Sequence, residues 1–278
     1  MYLDGKAVVV TGAGRGLGAA YARLAALEGA SVVVNDVDLA LASTVADEIG
    51  GLADGSDIST WDGAGSLVAR CVSEFGAIDG LVNNAGIFRL ADPRSQDPSE
   101  FRAVMEVNVL GTAYCGLHAL RAMLDQGHGS LVNVTSGAHA GSAGMAAYGA
   151  SKGAVASLTY CWAVDLLGSG VRVNAVSPNA HTRMADAYER YLGVKAQGQN
   201  VGKTPESNAP AVVFLLSDAA AAVHGQVVRI DGDELSLISH PSVLGEGLRD
   251  PEWTVAGVAA AFAGELGRSL QPLGLFRS

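Results

Sequence analysis

Apolar positions along this chain follow two alternating periods. Short β-branched runs such as AVVV at 7–10 and SVVV at 31–34 recur, and each is followed by an Ala/Leu-rich stretch with helical spacing. That alternation is the signature of a parallel sheet wound by crossover helices. The strands it predicts are Lys6 to Thr11, Ser31 to Asp36, Leu52 to Asp57, Asp79 to Asn83, Ser130 to Thr135, Arg172 to Ser177 and Gln226 to Asp231, with helices between them. No composition shift or Pro/Ser-rich linker divides the chain, so 1–278 reads as one doubly wound α/β domain.

Two stretches depart from the alternation. Residues 182–205 (TRMADAYERYLGVKAQGQNVGKTP) carry no clean apolar period and follow the sixth strand, where an α/β sheet opens its ligand crevice; a substrate lid is expected there. The tail, 233–278, extends past the last predicted strand. It holds one helix-like piece, Pro251 to Leu266, and is expected to cover the pocket or to contact a neighbouring subunit.

Composition narrows the function classes. With 49% apolar residues and 36 glycines, the chain can bury a large core and still supply many tight turns. Lys plus Arg number 18 against 28 Asp plus Glu, a net charge of −10 with no basic run, which argues against a nucleic-acid partner. The N-terminus lacks signal-peptide character, and no uninterrupted apolar run approaches the roughly 18 residues of a membrane helix. A soluble cytoplasmic protein is the expectation. Cys71, Cys115 and Cys161 lie far apart without metal-ligand spacing and read as buried thiols; the acidic DGDE at 231–234 lacks calcium-loop spacing and reads as a solvated turn, so no metal is expected.

Candidate chemistry begins at VVVTGAGRGLGAAYARLAALEGA, which sets Gly12, Gly14, Gly16 and Gly18 between a strand and an Ala-rich helix. Glycines there let backbone approach a pyrophosphate, and a helix N-terminus offers free N–H groups to it. Asp36 ends the second strand, where a carboxylate can hold both ribose hydroxyls of an adenosine and repel a 2′-phosphate. NAD is therefore expected over NADP, although Arg15 in the glycine turn pulls the other way. Farther along, YGASK places Tyr148 and Lys152 at i and i+4, on one helix face. A free phenol has a pKa of about 10, but a neighbouring ammonium favours its anion, so the pair can serve as a general base for alcohol oxidation and a general acid in reverse. Ser136, at the end of the fifth strand, can hydrogen-bond a carbonyl oxygen; no GxSxG elbow suggests a nucleophile.

In chain order, TGAGRGLG at 11–18, Asp36, Asp57-Ile58, NNAG at 83–86, MEVNVLGT with Asn108, Ser136, YGASK at 148–152 and VNAVSPNAHTRM at 173–184 resemble the short-chain dehydrogenase/reductase family over nearly all of 1–232. The resemblance implies a Rossmann fold with a seven-stranded parallel sheet in the order 3-2-1-4-5-6-7, flanked by helices, and a C-terminal extension. It implies an NAD(H)-dependent oxidoreductase interconverting a secondary alcohol and a ketone. Tyr148 would be the acid/base, Ser136 would orient the substrate oxygen, Lys152 would hold the nicotinamide ribose and lower the tyrosine pKa, and Asn108 would hold a water linking Lys152 to solvent. On the cofactor, the glycine turn would contribute Arg15 and Leu17 beside its glycines. Asp36, Val37, Asp57 and Ile58 would contact the adenosine, with Asn84, Ala85 and Gly86 nearby. Pro178 and Thr182 would wall the nicotinamide. Family members usually assemble as homodimers or homotetramers, and the Ala-rich face of 146–167 suits that.

Three departures from the family pattern stand out: Pro178-Asn179 in place of Pro-Gly, Asp231-Gly232-Asp233 in place of Asp-Gly-Gly, and a Ser136 to Tyr148 interval one residue short. The last bears on substrate choice. A narrower similarity, to dehydrogenase portions that oxidise (3R)-hydroxyacyl-CoA, would call on Arg183, Arg190, Lys195 or Lys203 for the CoA phosphates. The rival is a cyclic, terpenoid or steroid-like alcohol in a pocket walled by Ala138, Met145, Met184 and Tyr188. His139 and His181 flank the centre and read as polar surface. A non-catalytic dinucleotide-binding regulator on the same fold is the alternative of another class, and the intact set of Asn108, Ser136, Tyr148 and Lys152 argues against it.

Overall fold

A computed structural model describes residues 1–193 and 203–275. The strands are β1 (Ala7–Val10), β2 (Ser31–Asn35), β3 (Leu52–Asp54), β4 (Gly80–Asn83), β5 (Gly129–Val134), β6 (Val171–Asn179), β7 (Val227–Asp231) and β8 (Glu234–Ile238). They form one sheet in the order β3-β2-β1-β4-β5-β6-β7-β8. Strands β1 to β7 pair in parallel, each at its predicted place. The helices are α1 (Gly16–Leu27), α2 (Leu39–Ile49), α3 (Trp61–Phe75), α4 (Pro98–Met105), α5 (Thr112–Gln126), α6 (Ala146–Asp165), α7 (Arg183–Leu192), α8 (Pro205–Leu216), α9 (Val255–Ala263) and α10 (Glu265–Arg268).

The apolar runs are unbroken because the central strands are buried on both faces. In β1, Val8 and Val10 join a core with α1, α2 and α8, while Ala7 and Val9 join a second core with α3 and α5. Reversal of strand order between β1 and β4 opens a cleft at the carboxyl edge of the sheet, the place where such sheets take ligands.

Beyond the seven expected strands, an eighth runs antiparallel to β7. Gly232, with φ of 66°, makes the two-residue turn that joins them. The pattern ELSLI hid the strand, since Leu235 and Leu237 face outward and a five-residue alternation between an acidic turn and Ser239-His240-Pro241 resembles a loop. In the expected lid, 183–192 is helical: Met184 and Tyr188 stand one turn apart, and tyrosine's mixed character obscured the period. Residues 194–202 of that lid, including Lys195, lie outside the described residues.

The tail helix begins later than expected, at Val255, because the hydroxyl of Thr254 accepts the Gly257 N–H and caps it there. It breaks at Gly264 before α10. The tail then returns to the sheet's carboxyl edge, where the Gly274 N–H donates to the Ala140 carbonyl at 3.1 Å. Cys71 and Cys115 are buried as expected; Cys161 is not, because it lies on the outward side of α6.

Candidate active site

The cleft, of about 1160 Å³, is built at one end by the turn after β1. Thr11 ties that turn to β4, its Oγ1 accepting the N–H groups of Asn84 (3.1 Å) and Ala85 (3.0 Å). The Asn84 side chain donates to the carbonyls of Thr11 and Gly12, both at 3.0 Å, so this residue braces the glycine turn as well as lining the cleft. Each glycine has a distinct task. A Cβ at Gly18 would stand 2.3 Å from the Gly12 carbonyl oxygen, one at Gly12 would stand 2.7 Å from Ala85 Cα, and one at Gly14 would meet the Asp36 carboxylate at 2.8 Å. At Gly16, with φ of 57°, a Cβ would meet nothing within 4 Å.

These spacings describe a cradle shaped for a phosphate group. Gly12 and Gly18 let α1 pack close to the strand, and Gly16 keeps the backbone open toward the cleft. The N-cap residue of α1, Arg15, makes no side-chain cap, which leaves first-turn N–H groups available to an anion. Asp36 accepts the Gly14 N–H at 3.1 Å and the Asp38 N–H at 3.1 Å, so its carboxylate is fixed at the rim beside the turn. Asp38, not Asp36, caps α2. A dinucleotide fits this end: open first-turn N–H groups for an anion, with a fixed carboxylate beside them in the same cleft. Asp57 and Ile58 line the same end, with Asp57 held by the Ser59 N–H at 2.9 Å.

At the other end Tyr148, Ser136 and Lys152 converge. Ser136 leaves β5 extended and caps the short turn Gly137–Ala140, its Oγ accepting the Ala138 N–H at 3.2 Å. Tyr148 lies in the first turn of α6 with Phe88 edge-on to its ring at 5.3 Å. Burial pushes the phenol above its ordinary value, and a hydrogen bond with Ser136 pulls it partly back. Lys152 is 3% exposed; its Nζ donates to the Val134 carbonyl at 2.7 Å and stands 5.7 Å from the Tyr148 ring centre. Desolvation lowers the ammonium to about 8. In the protein alone, burial sets the direction of the phenol's shift and Ser136 is the group that opposes it.

Asn108 sits on a π-helical stretch, Glu106–Gly111, between α4 and α5. Its fully buried amide accepts the Ile87 N–H at 2.7 Å and donates to the Ile87 carbonyl and to Ser151 Oγ, both at 3.0 Å. Ser151 in turn donates to the Tyr148 carbonyl at 2.7 Å, which links Asn108 to the backbone carrying the phenol.

Of the residues assigned to catalysis and cofactor binding, all line the cleft except Gly14, which stands behind Asp36, and Asn108, which stands behind Gly86; His139, Arg190 and Lys203 do not line it. His181 also lines it, paired with Asp186 at 3.1 Å, whereas His139 bonds the Ser136 carbonyl. The DGDE turn is not simply solvated. Asp231 accepts from Lys203 and Arg229 at 2.7 Å and from Asn179 at 2.9 Å, because β6 and β7 place Asn179 opposite it. Burial alone would raise its carboxyl, but the two cations hold it below the usual range. Among the described residues there is no cluster suited to a metal. Sequence reasoning missed Phe88, Ser151, Arg229 and Leu275. Ser151 was legible inside YGASK; the other three reach the cleft only through tertiary packing.

A family model for short chain dehydrogenase matches residues 6–190. The chain is 40% identical to cis-4-hydroxycyclohexanecarboxylate dehydrogenase of Sinomonas cyclohexanicum over 82% of its own length and 95% of that protein. It is 37% identical to 2-(S)-hydroxypropyl-CoM dehydrogenase 3 of Xanthobacter autotrophicus, covering 83% and 96%. Among solved structures, a short chain dehydrogenase from Mycobacterium avium superposes with a TM-score of 0.87 at 34% identity over 98% of both chains. A 3-ketoacyl-(acyl-carrier-protein) reductase from Brucella melitensis complexed with NADH gives 0.76 at 33%, covering 83% of this chain and 98% of that one.

Proposed function

The chain belongs to the short-chain dehydrogenase family, an oxidoreductase acting on CH–OH donors, and we propose that Tyr148 is its acid/base and NAD(H) its preferred cofactor. The observation that carries this is one continuous cleft with a phosphate cradle and Asp36 at one end and Tyr148, Ser136 and Lys152 at the other.

The nicotinamide, when bound, accepts or returns a hydride at the carbinol carbon. The chain's own residues manage the proton. In oxidation the Tyr148 oxygen takes the hydroxyl proton of the alcohol; in reduction it returns that proton to the ketone oxygen. Ser136 has one O–H to donate: to the phenolate before substrate binds, and to the substrate oxygen as charge develops there. Lys152 supplies the positive charge that a buried phenolate needs, and Val134 holds its Nζ in place. Asn108 holds the Tyr148 carbonyl through Ser151, and through Ile87 it holds the segment that carries Phe88 against the phenol ring. Gly16, Leu17 and Gly18 would hold the pyrophosphate, Pro178 and Thr182 the nicotinamide edge. Incubation with NAD and a panel of secondary alcohols, followed at the reduced-nicotinamide absorbance, tests the assignment; no turnover across the panel would sink it.

Cofactor preference follows from Asp36. A fixed carboxylate accepts from two ribose hydroxyls, each charge-assisted bond contributing about 1.5–3 kcal/mol, and repels a 2′-phosphate. The wild type is expected to prefer NAD in kcat/KM, and Asp36→Ala to shrink the NAD-to-NADP ratio by roughly 10²-fold or more. A wild-type preference for NADP overturns this reading.

A small alcohol is favoured over a CoA thioester. Ala138, Met145, Met184 and Tyr188 all wall the cleft, whereas among the described cations considered for CoA Arg183 reaches it and Arg190 and Lys203 do not. We also assign self-association to the outward faces of α5 and α6, where Leu117, Leu124 and Val164 are exposed together with Leu167 just past the end of α6. Sedimentation equilibrium should give a dimer or tetramer; a monomer at micromolar concentration refutes it.

A further inference from the structure

We infer that the substrate carries an anionic group, a carboxylate or an equivalent oxyanion, which Arg229 receives. The inference depends on the proposed reading only in taking the Ser136 end of the cleft as the substrate end. Arg229 lies on β7, points toward that end and lines the cleft. Its NH1 is 3.5 Å from where a Cβ on Gly137 would stand, so the guanidinium lies beside the residue that follows Ser136. Leu275, brought back by the tail, packs on the same glycine at 3.0 Å from that position and closes the far side.

The charge balance leaves this arginine with binding capacity. Asp231 accepts one bond from Arg229 NH2, at 2.7 Å, yet it also receives Lys203 Nζ at 2.7 Å on its other oxygen. Two cations share the Asp231 carboxylate, so Arg229 meets it through NH2 alone and its NH1 faces Gly137. Asp231 itself does not line the cleft, whereas Arg229 does. The rest of the charge facing this end agrees. Lys152 and Arg183 are cations, and Asp186 is paired with His181. The other carboxylates lining the cleft, Asp36 and Asp57, belong to the glycine-turn end. A chain of net charge −10 thus presents an excess of cations where the substrate enters. A guanidinium beside an apolar wall of Leu275, Met145 and Met184 suits a hydrocarbon alcohol ending in a planar oxyanion, which takes two of its N–H groups at once.

The test separates charge recognition from turnover. Calorimetric titration of the wild type with cyclohexanecarboxylate should show binding, and the isosteric cyclohexanecarboxamide should bind at least about 10-fold more weakly. Arg229→Met should lose that discrimination, Arg229→Lys should keep part of it, and Lys203 and Asn179 remain on Asp231 to hold the strand in both variants. In kinetics with NAD, 3-hydroxybutanoate and 4-hydroxycyclohexanecarboxylate should exceed their methyl esters in kcat/KM by roughly 10–10²-fold, the difference lying in KM and vanishing in Arg229→Met. Esters and amide handled as well as the acids by the wild type overturn the inference while leaving the dehydrogenase intact. Selective binding of the acids with no oxidation of any alcohol supports the anion site and instead defeats the proposed reaction.

Discussion

Tyr148→Phe is expected to lower kcat for alcohol oxidation by about 10²–10⁴-fold, the range that a positioned acid/base contributes, with the fold unchanged. Phenylalanine keeps the ring that packs edge-on against Phe88 and removes only the oxygen. The pH profile is the readout that a structural role would not move. Burial holds the phenol above its ordinary value despite Ser136, so its base form fills toward alkaline pH. Oxidation by the wild type should therefore climb with pH and reduction should fall over the same range, and the residual activity of Tyr148→Phe should follow neither trend. Full turnover in the variant would remove Tyr148 from the chemistry.

Lys152→Met should be nearly inactive and yet more stable than the wild type. The ammonium is lowered from 10.5 to about 8 by desolvation, so the charge costs about 3 kcal/mol at neutral pH, at 1.36 kcal/mol per unit. Between pH 8 and 10.5 the unfolded chain binds more protons than the folded one, hence stability rises with pH across that window, and the whole penalty is present below pH 8. Methionine removes the charge but orphans the Val134 carbonyl, a loss of about 1 kcal/mol. The net gain of about 2 kcal/mol raises Tm by roughly 4–8 °C for a chain of this size. Melting of both proteins at pH 7 and pH 10 checks it: the gap should close at the higher pH. A variant that melts lower than the wild type at pH 7 contradicts the desolvation account.

Both expectations turn on groups that were visible in the sequence, because their spacing is local. Tyr148 and Lys152 sit one helical turn apart, and the glycines fall inside eight residues. The strand-helix alternation was equally legible, since buried parallel strands leave unbroken apolar runs. What escaped depended on partners distant in the chain. Strand β8 was hidden because its leucines face outward; the pairing that makes it a strand comes from β7 across Gly232. Asp231 read as solvated because Lys203 and Asn179 approach it from other elements. Arg229 fell inside the predicted strand Gln226 to Asp231 with no role, for nothing near it in sequence says that Gly137 lies against it.

The return of the tail to Gly137 sets a schedule for synthesis. The glycine turn, Asp36 and Asn84 come from the first third of the chain and pair through β1, β2 and β4, while the core beneath α1 is completed by α8. The opposite end needs β7 and Leu275, nearly 200 residues later, or roughly 10–40 s at translation rates of 5–20 residues per second. Until that segment emerges the chamber lacks a wall at Gly137, so selectivity among alcohols waits on residues far downstream of the glycine turn.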